Sequence, residues 1–92
     1  MEPNNMSRQL VYVVLGSVTG EAHCVTDNPV AAHDAAEWLR NLYDMENESN
    51  TEWPHEWEFQ TINNSDQYVC QWRKGKYYIL IERFDVLSRY TG

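Results

Sequence analysis

Positive charge is scarce in the middle of this sequence. Between residues 21 and 66, Arg40 stands alone against eleven Asp and Glu side chains, whereas residues 67–92 carry five basic and two acidic ones. The chain as a whole sums to −7. Such a surface repels phosphate, which argues against a nucleic acid or an anionic membrane as the main partner. Cysteine is also rare: Cys24 and Cys70 are too few for a disulfide scaffold. The first eight residues hold no apolar stretch of the kind a signal peptide needs. The longest apolar run covers residues 10–15, far short of the ~20 residues that span a bilayer. Together these features predict a reducing, cytoplasmic setting.

Chemical motifs are missing as well. Gly16-Ser17-Val18-Thr19-Gly20 has two glycines but no Gly-Lys-Ser/Thr end, so it reads as a hairpin turn and not a phosphate cradle. The histidines stand at 23, 33 and 55, with no Cys-x-x-Cys or paired His spacing that would hold zinc. His23 and Cys24 are neighbours in a predicted strand, so their side chains point to opposite faces. Cys70 could approach Cys24 across the sheet, but a buried free cysteine is commonly just a small hydrophobe, and both are expected to be free thiols. The expectation is a protein without catalytic residues, metal or cofactor.

Aromatics are abundant: four Trp, six Tyr and two Phe among 92 residues. That richness separates the chain from disordered sequences. It also exceeds what a thin core requires, and Trp and Tyr are enriched at binding surfaces. The length allows one domain, predicted over residues 9–92 behind a flexible tail at 1–8. Residues 10–15 read as a buried strand and 21–26 as its return. Asn28 can cap a helix that Pro29 begins, and Ala31, Ala35, Trp38, Leu39 and Leu42 form an apolar stripe along residues 29–45. A polar loop fills 44–56. Strands follow from Trp57, from Tyr68 and from Lys76 to Phe84, separated by Asn63-Asn64-Ser65-Asp66 and by Lys74-Gly75. One helical turn is expected over 85–90. The predicted fold is α+β: an antiparallel sheet of four to five strands, in the sequence order β-β-α-β-β-β, with one helix packed on one face. The other face is partly aromatic and calls for a loop, a second copy or a partner to shield it.

Two segments stand out as binding surfaces. The first runs from Asp44 to Glu58, with six acidic residues and no Lys or Arg. Within it Glu46, Glu48, Glu52 and Glu56 surround Trp53 and Trp57. Spaced glutamates beside a rigid aromatic suit a basic protein surface, with the charges steering encounter and the indole anchoring it. The second is Trp72-Arg73-Lys74-Gly75-Lys76, where Arg73, Lys74 and Lys76 alternate with aromatics, a pattern that suits contact with nucleic acid. In size, charge and architecture the chain resembles phage-encoded inhibitors of host machinery, including anti-CRISPR proteins, although no motif carries the resemblance. It implies an acidic inhibitor, without catalysis, that occupies the basic nucleic-acid-binding surface of a host protein or ribonucleoprotein. The alternative is an accessory or structural module, a homodimer through its exposed sheet face.

Overall fold

The computed structural model describes residues 6–18 and 22–89. In chain order they form β1 (Met6–Gly16), β2 (Ala22–Thr26), α1 (Pro29–Glu46), β3 (Glu58–Asn63), β4 (Tyr68–Lys74) and β5 (Tyr77–Arg89). The β-β-α-β-β-β order is the expected one. All five strands join a single antiparallel sheet with the spatial order β2-β1-β5-β4-β3.

The long central pair is β1 and β5, matched from Met6↔Arg89 to Gly16↔Ile79. It corrects one local expectation. Residues 85–89 continue β5 where a helical turn was predicted, because Met6 to Leu10 offer them ladder partners. Such long-range pairing overrides a weak local preference. Of the tail expected at 1–8, residues 1–5 lie outside the described residues, and 6–8 open β1.

The helix begins as its sequence dictates. Asn28 Oδ1 accepts the N–H of Val30 at 2.9 Å and of Ala31 at 3.4 Å, with Pro29 in the first turn. Its buried face is rotated from the expected one. Ala32, Ala36, Leu39 and Tyr43 face the sheet. Trp38 is 54 % exposed and stacks on His23 with ring centroids 5.1 Å apart. The cause is steric. Two alanines let the helix lie close to a floor that already holds Tyr12 and Trp72, and an indole there would force the layers apart. A bulge in β2 leaves His23 unpaired between Ala22 and Cys24, and His23 meets Trp38 at the sheet edge.

The core joins Tyr12 and Val14 of β1, Cys70 and Trp72 of β4, and Ile79 and Ile81 of β5 to the four helical residues. Both cysteines are free thiols. This is as expected, and they stay apart because β1 and β5 lie between their strands. Three strand spacings put them roughly 14 Å apart, well beyond disulfide reach. The helix lies over β2, β1 and β5. At the far edge all six residues of β3 are exposed.

Candidate functional site

The acidic segment between α1 and β3 folds as a series of turns. Asn47 ends the helix: its backbone N–H and its side-chain Nδ2 both reach the Tyr43 carbonyl, at 3.2 and 2.8 Å. Asn50 N–H then donates to Asn47 O at 2.9 Å, and Trp53 N–H to Asn50 O at 3.0 Å. The Asn50 side chain accepts Glu52 N–H at 3.0 Å. Asparagine side chains favour such turns because they bond the nearby backbone.

A clasp on Asp44 closes the segment. The Trp53 indole N–H donates to Asp44 Oδ1 at 2.8 Å, the Trp57 indole N–H to Oδ2 at 3.2 Å, and Lys74 Nζ reaches Oδ1 at 2.7 Å. The Lys74 ammonium also lies 5.3 and 5.4 Å from the two indole centroids, within cation–π range. Trp53 meets Tyr77 edge-on, and Trp57 packs on Tyr43. Burial works to raise the Asp44 carboxyl, but hydrogen bonds from Lys74, Trp53 and Trp57 outweigh it, so the group sits below its ordinary value. The last turn of α1 has no basic residue of its own, although a helix C-terminus favours a cation. Lys74, from β4, supplies one.

The sequence-predicted residues therefore divide. Glu46, Glu48, Glu52 and Glu56 are exposed, and no ion pair engages them among the described residues. Trp53 and Trp57 are half-buried, with their N–H groups and ring faces turned inward. The basic hairpin is not one surface. Alternation along β4 sends Arg73 and Lys74 to opposite faces. Lys74 is 5 % exposed and belongs to the clasp, while Arg73 lies with Glu58, Gln60 and Gln71 on the face away from the helix. Lys76 stays exposed at the hairpin tip. A shallow groove lined by Asn47, Glu52, Trp53, Pro54, Lys76 and Tyr77 places the acidic loop against that tip. Arg40, the lone cation of the acidic middle, lies over the Trp72 ring, 4.4 Å from its centroid, and burial lowers its pKa. Neither it nor Lys74 neutralises the exposed glutamates.

No protein-family model matches this chain, and no curated protein or solved structure shows significant similarity to it.

One polar cluster went unnoticed in the sequence. His33 Nε2 shares a 2.7 Å hydrogen bond with Tyr68 Oη and lies 3.9 Å from Cys70 Sγ, which also meets Thr61 Oγ1 at 3.6 Å. Burial first, then the proximity of Cys70 and Tyr12, pushes the Tyr68 hydroxyl up to about 12. A thiol beside an imidazole has the composition of a nucleophile and its base. Here the cysteine is 2 % exposed, so no substrate carbonyl reaches the sulfur. Only the sheet register, pairing Thr61 with Cys70, shows which partners meet. Among the described residues, no three His, Cys, Asp or Glu side chains gather as metal ligands.

Proposed function

We propose that this chain is a small acidic protein-binding inhibitor, phage-encoded and acting in the host cytoplasm without catalysis. Its target is a basic, nucleic-acid-binding surface of a host defence or nucleic-acid-processing complex, in the manner of anti-CRISPR proteins. The observation that carries this reading is the Asp44 clasp. With two indoles and a lysine it fixes the segment from the end of α1 to β3, which carries the exposed glutamates. A preformed charged surface loses little conformational freedom on binding, so more of the interaction energy appears as affinity. The tryptophans contribute from inside the loop, and Glu46, Glu48, Glu52 and Glu56 make the contact. Lys76, next to Glu52 in the groove, gives the surface a mixed-charge border.

The test is affinity capture from a bacterial lysate with the wild-type chain and with Glu48→Lys/Glu52→Lys as parallel baits. A nucleic-acid-binding protein held by the first bait and not the second is expected, and added nucleic acid should release it. Equal capture by both baits would count against the acidic loop.

A second reading rests on the face opposite the helix. Val11, Val13, Leu15, Val69 and Leu80 are half-buried there, and Val25, Tyr78 and Phe84 are exposed. Apart from Glu82 this central part of the face is apolar, while Glu58, Gln60, Gln71 and Arg73 make its β3–β4 side polar; the apolar part suits an accessory module that dimerises by stacking two such faces.

A further inference from the structure

The two edges of the sheet are not alike. β2 is five residues long and interrupted by the His23 bulge, and the Trp38–His23 stack stands over it. Short length, bulges and overlying side chains are ways of keeping an edge from pairing further. β3, only one residue longer, has no bulge. It runs unbroken in register with β4 from Glu58↔Arg73 to Asn63↔Tyr68, and Glu-Phe-Gln-Thr-Ile-Asn contains no proline or lysine. Its apolar residues, Phe59 at 50 % and Ile62 at 46 % exposure, stand on opposite faces of a strand that buries no side chain.

The backbone phase of this edge follows from one hydrogen bond. Asn64 N–H donates to Gln67 O at 2.8 Å. In an antiparallel ladder the direction alternates, so residues 62, 60 and 58 also face β4. The N–H and C=O groups of Phe59, Thr61 and Asn63 therefore point out of the sheet. These three residues are symmetric about Thr61.

We propose that β3 is a self-association site, where a second copy of this chain adds its own β3 antiparallel across a twofold axis at Thr61. In that register Thr61 opposes Thr61 of the second copy, and Phe59 opposes its Asn63. All three outward residues then find bonding partners in the other copy. A Thr–Thr pair is favourable across strands. On the other face Gln60 opposes Ile62 and Glu58 opposes Asn64, so no like charges meet. That matters for a chain of net charge −7, because β3 is a place where two copies can join without confronting their glutamates. Glu58 in each copy moreover stands opposite Arg73 of its own β4 in the ladder. The product is a continuous ten-stranded sheet. The acidic loops, which end at Trp57, adjoin the new junction but lie outside its paired residues, and an interface of one six-residue strand from each copy implies a reversible association.

Amide hydrogen exchange at low and high protein concentration tests this on the native chain. The amides of Gln60 and Ile62 should be protected at both concentrations. Those of Phe59, Thr61 and Asn63 should become protected only at high concentration, as sedimentation shows dimer. Thr61→Pro removes an outward N–H, which an edge strand tolerates. It should keep the wild-type melt and weaken dimerisation roughly tenfold or more. Should that variant not fold, Thr61→Lys, with two cations opposed at the axis, should weaken dimerisation equally. Leu80→Lys, on the open face, should dimerise as the wild type does. A chain that stays monomeric at the highest concentration, or a dimer in which Phe59, Thr61 and Asn63 stay unprotected, would overturn the proposal. So would a dimer abolished by Leu80→Lys and untouched by the Thr61 variants.

Discussion

The ammonium of Lys74 lies 2.7 Å from Asp44 Oδ1, and the two side chains are unequally exposed, at 4 % and 39 %. Removing either breaks the same ion pair with different consequences. Asp44→Ala strands a cation in a nearly dry site, whereas Lys74→Met leaves a carboxylate that water can reach. Asp44→Ala is expected to cost about 3 kcal/mol and Lys74→Met about 1 kcal/mol, read by urea denaturation. Equal losses would mean that Lys74 finds solvent in the variant.

The same carboxylate sets an acid limit. Its folded-state pKa is lowered, so the unfolded chain takes up the proton first as pH falls. Stability from the clasp is therefore complete above the unfolded value of about 3.9 and disappears as pH drops through the folded value. Indole fluorescence should report loosening of Trp53 and Trp57 below about pH 4. Asp44→Asn should remove that acid step, and its persistence in the variant would assign it to another group.

Gly16 lies directly beneath Tyr43. A Cβ added there would fall on the phenol hydroxyl, and Tyr43 is itself wedged against Trp57 and Tyr77. Gly16→Ala should destabilise by about 1–3 kcal/mol through overpacking. A thermal melt checks it: a midpoint within error of wild type would show that Tyr43 moves freely.

The rotated helix face gives a paired expectation. Trp38→Ala should cost under about 1 kcal/mol, as befits an exposed side chain. Ala36→Leu, at a position with no solvent exposure, should cost about 2–3 kcal/mol. The reverse order in denaturation midpoints would restore the stripe drawn from the sequence.

That stripe shows where sequence reasoning stopped. Asn28-Pro29 located the helix start because capping is local chemistry, and alternation located the strands for the same reason. Which helical face turns inward depends on the floor it meets. Tyr12 and Trp72 leave room for Ala32 and Ala36 and none for Trp38. The strand order β2-β1-β5-β4-β3 also rests on pairings across the chain, which put β1 and β5 between Cys24 and Cys70 and carried β5 through 85–89. At the site, the exposed glutamates were legible from composition. The splitting of Arg73 from Lys74 was implicit in strand alternation. The joining of Trp53, Trp57 and Lys74 on Asp44 was not legible, since it links residues up to thirty positions apart.

The clasp's role in binding can be separated from its role in folding. Hydrogen exchange in residues 47–57 should quicken in Asp44→Asn while β1 and β5 amides stay protected, because the loop opens as a local unit. Unchanged exchange in the loop would show that its turns hold without the clasp.

The central claim is that the rigid acidic loop meets a basic protein surface. It is tested most directly by the association rate with the captured partner as ionic strength rises. The wild-type rate should fall steeply with salt, since exposed charges are screened beyond about 8 Å at physiological ionic strength. Glu48→Lys/Glu52→Lys should associate roughly tenfold more slowly at low salt, with a flattened salt dependence and an unchanged melt. Matching rates for the wild type and the double variant at both low and high salt would contradict the claim.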